Sequence, residues 1–123
     1  MPRMGRTESM LRDVLEFSRE GFVAVVLARN MDYAQRLLDR FCLMAIRAKI
    51  PYQRISRGKV LIGKALIRFE SQHAPPQAFE GYSAKPFWDG SARYFDWGTK
   101  QAIDRMYGRW KSANDREAKH AKG

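Results

Sequence analysis

Two short runs of this sequence hold residue types suited to chemistry on phosphates. Gly5-Arg6-Thr7 stands just before a helical stretch. A phosphate-binding loop needs such a set: a Gly-rich turn presenting backbone N–H groups, a cation for the β/γ charge and a hydroxyl for Mg²⁺, all at a helix N-terminus. Asp89 ends the short stretch Lys85-Pro86-Phe87-Trp88, and with Asp96 it makes a carboxylate pair near a loop. The plainer alternatives are a helix-capping turn without a ligand for the first run and turn or surface roles for the aspartates.

The second chemistry is binding, and it rests on basic and aromatic residues that interleave in two places. Arg54, Arg57, Lys59, Lys64 and Arg68 surround a predicted hairpin, with Tyr52 beside them as a stacking ring. Farther on come Arg93-Tyr94-Phe95-Asp96-Trp97, then Lys100, Arg105, Tyr107, Arg109, Trp110 and Lys111. Rings stack on unpaired bases and guanidinium groups bridge phosphates, so the composition suits single strands. The competing reading of Phe87, Trp88, Phe95, Trp97 and Trp110 is that most of them are core.

Other constellations are missing. His73 and His120 lie far apart with no ligand partner at metal spacing. No serine has a nucleophile-elbow context. Cys42 is the single cysteine, set in an apolar helical pattern that predicts a buried thiol. No catalytic residue, metal or cofactor is therefore expected.

Charge points the same way. Residues 1–50 carry nine Lys+Arg and six Asp+Glu, and residues 51–123 fourteen and seven, so +3 and +7 make up the net +10. Such an excess favours polyanionic partners through counterion release and steering. An acidic protein surface fits the same charge. The apolar run Phe22–Ala28 is too short to span a bilayer and the first residues lack a signal-peptide layout, so a cytoplasmic location with no membrane contact is expected.

The elements that must position these residues follow from periodicity. Met10, Leu11, Val14 and Leu15 predict a helix over 7–19, capped by Thr7 or Ser9 and closed by Gly21. Phe22–Ala28 is continuously apolar and β-branched, as in a strand covered on both faces of a parallel sheet. Asn30 or Asp32 caps a second helix reaching about Ala48, with Ala34, Leu37, Leu38, Phe41, Met44, Ala45 and Ala48 on one stripe. Tyr52–Ser56 reads as a short strand. Lys59–Ile62 and Ala65–Phe69 form a hairpin about Gly63-Lys64. Ser71–Ala84 reads as an exposed loop, Lys85–Asp89 as a short strand and 99–111 as a last helix. The expectation is one small α/β domain over 1–111, with a mostly parallel sheet flanked by helices, a β-hairpin and a C-terminal helix. A basic, partly flexible tail follows over 112–123.

Taken together, Met4-Gly5-Arg6-Thr7…Gly21-Phe22-Val23-Ala24-Val25-Val26, Ile62-Gly63-Lys64-Ala65-Leu66-Ile67-Arg68-Phe69 and Gly81-Tyr82…Phe87-Trp88-Asp89 resemble a shortened P-loop NTPase of the phage terminase and helicase kind. The resemblance covers roughly residues 4–110. It implies that Gly5, Arg6, Thr7 and Asp89 are remnants of a nucleotide site. The chain departs from that family: only Pro2-Arg3-Met4 stand between Met1 and Gly5, Arg6 replaces Lys, and Gly90 stands where a second acid would orient water. Hydrolysis is expected to be lost. The first expectation is a small, basic, non-catalytic nucleic-acid-binding accessory protein of phage. Its proposed contacts are Arg54, Arg57, Lys59, Lys64, Arg68, Arg93, Lys100, Arg105, Arg109 and Lys111. The alternatives are a protein-binding inhibitor of a host enzyme or defence nuclease and a nucleotide-binding ATPase-like protein, each compatible with a homodimer.

Overall fold

The computed structural model describes residues 2–93 and 96–122. Its centre is the strand that composition demands. β1 (Ala24–Ala28) is wholly buried. Its side chains alternate between two cores, Ala24, Val26 and Ala28 on one face and Val25 and Leu27 on the other. Burial on both faces is why the run shows no polar alternation.

The helix α2 (Met31–Arg47) follows β1, and Asn30 caps it by accepting the Tyr33 N–H at 2.8 Å on its side-chain oxygen. Its stripe Ala34, Leu37, Leu38, Phe41, Cys42 and Ala45 is buried against the sheet. Next come β2 (Gln53–Ser56), β3 (Lys59–Ile62) and β4 (Ala65–Ser71), joined by tight turns. Gly63 turns β3 into β4 with φ +60°, a left-handed conformation that glycine adopts without strain. β5 (Lys85–Trp88) completes a sheet of order β2-β3-β4-β1-β5.

β1 runs parallel to β4 and β5, whereas β3 is antiparallel to both β2 and β4. The sheet is thus mixed, not mostly parallel. The hairpin about Gly63 obliges β3 to reverse against β4, and the tight turn at Gly58 reverses β2 in turn, so neither strand has the long crossover that parallel pairing needs.

Two helices lie on one face. The helix α1 (Pro2–Arg19) packs Leu11, Val14 and Leu15 beside α2 on the core lined by Val60, Ile62, Ile67 and Phe69. The other face carries α3 (Trp97–Lys122), whose Ala102, Ile103 and Met106 join Val25, Leu27, Phe79 and Ala84. Each fully buried Val, Leu, Ile, Phe or Met side chain in these cores is worth about 1.5–3 kcal/mol of transfer free energy.

Both outer helices exceed their predicted spans. α1 begins at Pro2, so Thr7 and Ser9 lie inside it and do not cap it. α3 continues to Lys122, through the segment expected to be a tail. Of Ser71–Ala84, expected as an exposed loop, Ser71 ends β4 and segment 72–84 is anchored: it holds a short three-ten helix (Pro76–Ala78) and buries Gln72, Phe79 and Ala84. Among the described residues no helix is long and apolar enough to cross a membrane.

Candidate functional site

The three parallel strands end together, because Ala28 of β1 is in register with Ser71 of β4 and Leu27 with Trp88 of β5. From this carboxyl edge the chain leaves β1 toward the α2 face and leaves β5 toward the α3 face. A crevice between strands whose connections part in this way is the usual ligand position of an open α/β sheet.

Asp89 sits at the foot of the crevice with 3% of its surface exposed. Its carboxylate accepts the Thr7 hydroxyl at 3.3 Å on one oxygen and the Ser91 N–H at 3.0 Å on the other. Ser91 in turn accepts the Arg29 N–H on its hydroxyl at 3.3 Å. One carboxylate therefore ties together α1, the end of β1 and the turn after β5. The cavity above it measures about 330 Å³ and is lined by Arg6, Thr7, Tyr33, Asp89, Gly90, Ser91 and Arg93. The Arg29 guanidinium lies over the Tyr33 ring, 5.0 Å from its centroid.

The edge continues past the crevice toward β4. Gln72 donates its backbone N–H to Ala28 O at 2.7 Å and its side-chain amide to Arg29 O at 3.1 Å, which holds the chain beyond β4 against β1. Thr99 donates to Ala74 O at 3.0 Å and so fixes the first turn of α3 beside it. Trp97, at the start of that turn, is 75% exposed, and Lys100 is exposed one residue past Thr99. Arg57, in the turn between β2 and β3, lies 3.9 Å from Asp32 of α2 with both side chains well exposed. All three helices begin on this side of the sheet, and the first turns of α2 and α3 bring positive dipole ends to the edge.

Gly5, Arg6, Thr7 and Asp89, singled out as remnants of a phosphate site, fall in one place, with Thr7 bonded to Asp89 across 82 positions of sequence. The backbone differs from expectation, since Gly5-Arg6-Thr7 is helix and not a loop. A glycine there gives no nest of free N–H groups, so any anion grip comes from side chains.

The ten proposed nucleic-acid contacts do not form one surface. Arg93, Lys100 and Arg57 belong to the carboxyl edge, whereas Lys64 lies in the hairpin turn at the opposite edge. Arg54 reaches Asp39 of α2 at 3.1 Å. Lys59 begins β3 opposite Arg68. Arg105 faces Glu80 at 3.6 Å, Arg109 donates to Tyr82 O and Phe79 O, and Lys111 lies over the Tyr107 ring at 5.1 Å, all on α3. Arg68 is an interior residue, 4% exposed, which bonds Glu70 and Ala78 O and packs under the Tyr82 ring at 4.4 Å. Its place is structural: it fastens segment 72–84 to the sheet. Tyr94 and Phe95 lie outside the described residues.

Sequence reasoning missed Arg29, Tyr33 and Ser91, whereas Trp97 stood in the interleaved basic and aromatic stretch and also among the rings with a competing core reading. The available signal was position, since residues just beyond the ends of parallel strands line the ligand edge. Among the described residues no group of three or more His, Cys, Asp or Glu converges as a metal site. No protein-family model matches the chain, and neither a curated protein nor a solved structure matches it.

Proposed function

We propose that this chain binds nucleic acid without catalysis, gripping the phosphates of a single strand along the carboxyl edge of its sheet. The observation that carries the reading is that Arg6 and Arg93, from two separate segments, line the crevice above Asp89, with the Arg29 guanidinium beside it over the lining Tyr33 ring. Arginine forks fit phosphate oxygens, and Tyr33 and the exposed Trp97 offer faces on which unpaired bases stack. The helix N-termini favour the same anion.

Hydrolysis is not part of the reading. Both oxygens of Asp89 are engaged by Thr7 and Ser91, and Gly90 supplies no second acid. The contact between Thr7 and Asp89 supports descent from a P-loop-like core in which the hydroxyl and the acid have kept their places while the chemistry was lost. By that resemblance the protein is an accessory factor of phage type that works in the host cytoplasm.

The test is fluorescence anisotropy with labelled single-stranded DNA, single-stranded RNA and duplex at low and moderate salt. Salt-sensitive binding that prefers single strands and weakens on reversing Arg29 and Arg93 is expected. Unchanged anisotropy with all three at low salt would refute the proposal.

A further inference from the structure

A second surface lies on the helical face, away from the carboxyl edge. α1 and α2 run in the same direction, since Glu8 meets Arg40 and, farther along both helices, Arg12 stands beside Met44 and Arg47. Between them opens a groove of about 310 Å³ lined by Glu8, Arg12, Arg40, Leu43, Met44 and Arg47. Leu43 is 52% exposed and Ile46, one turn on, 55%. Both lie outside the stripe that α2 packs on the sheet, three residues apart on its outer side. Exposed large aliphatic groups rimmed by polar residues mark interaction sites.

Charge and shape decide what fits. Three arginines line the groove against one carboxylate, and Glu8 is already held by Arg40 at 2.6 Å. Arg12 and Arg47 have no carboxylate partner among the described residues. Leu43 and Met44 are the apolar residues of its lining, and it offers no ring for a base to stack on, so it differs in kind from the carboxyl edge. From this we infer that the α1–α2 groove docks an acidic amphipathic helix of a partner protein. Its aliphatic stripe would cover Leu43, Met44 and Ile46, and its flanking carboxylates would pair with Arg12 and Arg47. The inference is independent of nucleic-acid binding, because it uses other residues on another face.

The experiment uses the full chain and a fluorescein-labelled helical peptide of about 16 residues, with leucines at every third or fourth position and glutamates flanking them. A scrambled peptide of the same composition, vesicles of equal parts phosphatidylglycerol and phosphatidylcholine, and a labelled single-stranded oligonucleotide serve as competing occupants. The ordered peptide is expected to bind with a gain of helical circular dichroism, and the scrambled one at least roughly tenfold more weakly. Leu43→Asp with Ile46→Asp should weaken binding by about tenfold or more, and Arg12→Ser with Arg47→Ser by several-fold, more so at low salt. All four side chains are at the surface, so unchanged thermal unfolding is expected and checks that the variants fold. Arg29→Ser with Arg93→Ser should leave peptide binding intact. Equal affinity for ordered and scrambled peptides, or indifference to the Leu43 and Ile46 substitutions, would overturn the assignment. So would vesicle or oligonucleotide binding that those substitutions abolish while peptide binding is absent.

Discussion

The salt dependence of nucleic-acid binding is the sharpest consequence of the carboxyl-edge geometry. Arg6, Arg29, Arg93 and Lys100 stand there with no carboxylate partner among the described residues. Each phosphate that a cation neutralises on a single strand contributes about −0.7 to the slope of log affinity against log salt, so four contacts give about −2.8. Raising salt from about 50 to about 200 mM should then weaken binding by roughly 50-fold. Arg29→Ser with Arg93→Ser removes two contacts, which lowers the slope to about −1.4 and the loss over the same range to roughly sevenfold. Arg105→Ser, on α3 and facing Glu80, is the control and should leave the slope unchanged, because exposed charges farther away than about 8 Å are screened at physiological salt. Anisotropy titrations at four or more salt concentrations give the slopes directly. A double variant with the slope of the parent, or a reduction of equal size from Arg105→Ser, would refute the placement of the site.

Four further outcomes follow from particular side chains. Trp97→Ala should leave urea unfolding unchanged, since the ring is 75% exposed, yet weaken single-strand binding by about 1–3 kcal/mol if a base stacks on it, with little effect on duplex. Arg68→Leu removes the bonds to Glu70 and Ala78 O and strands a carboxylate whose side chain is 19% exposed; a loss of about 3 kcal/mol in urea unfolding is expected, most of it recovered by adding Glu70→Leu. Gly58→Ala puts a Cβ 2.9 Å from Phe69 O and 3.2 Å from the Met31 methyl at φ +90°, and should cost about 2 kcal/mol or more, whereas Gly63→Ala meets open space and should cost about 1 kcal/mol. Burial pushes the Cys42 thiol up, with Arg54 opposing and Asp39 adding. The unfolded chain therefore ionises first as pH rises: stability is full below the ordinary thiol range and declines as pH climbs through it toward the raised native value, and Cys42→Ala should flatten that part of the decline in unfolding titrations.

Much of the fold was legible because its signals are local. The unbroken run Phe22–Ala28 announced a doubly covered strand, the stripe from Ala34 to Ala48, whose last member Ala48 ends exposed at the C-cap, announced α2 with Asn30 before it, and Gly63-Lys64 announced a hairpin. Helix ends were less legible. The first residues of α1 and the last of α3 have no apolar stripe, so their helicity leaves no periodic mark in the sequence. Gly5, Arg6, Thr7 and Asp89 were recognisable as a set of residue types suited to phosphate, and the basic excess was countable. Their placement was not. Whether β4 pairs with β1, whether Arg68 points into the segment after β4 or into solvent, and whether Trp97 is covered all depend on which distant segments meet, and such meetings leave no spacing to read. Residue types alone thus determined a basic α/β protein equipped for polyanions. Only tertiary structure decided that three strand ends, three helix starts and four cations without a carboxylate partner among the described residues share one side of the sheet, because the parallel register of β4, β1 and β5 is what brings those ends together.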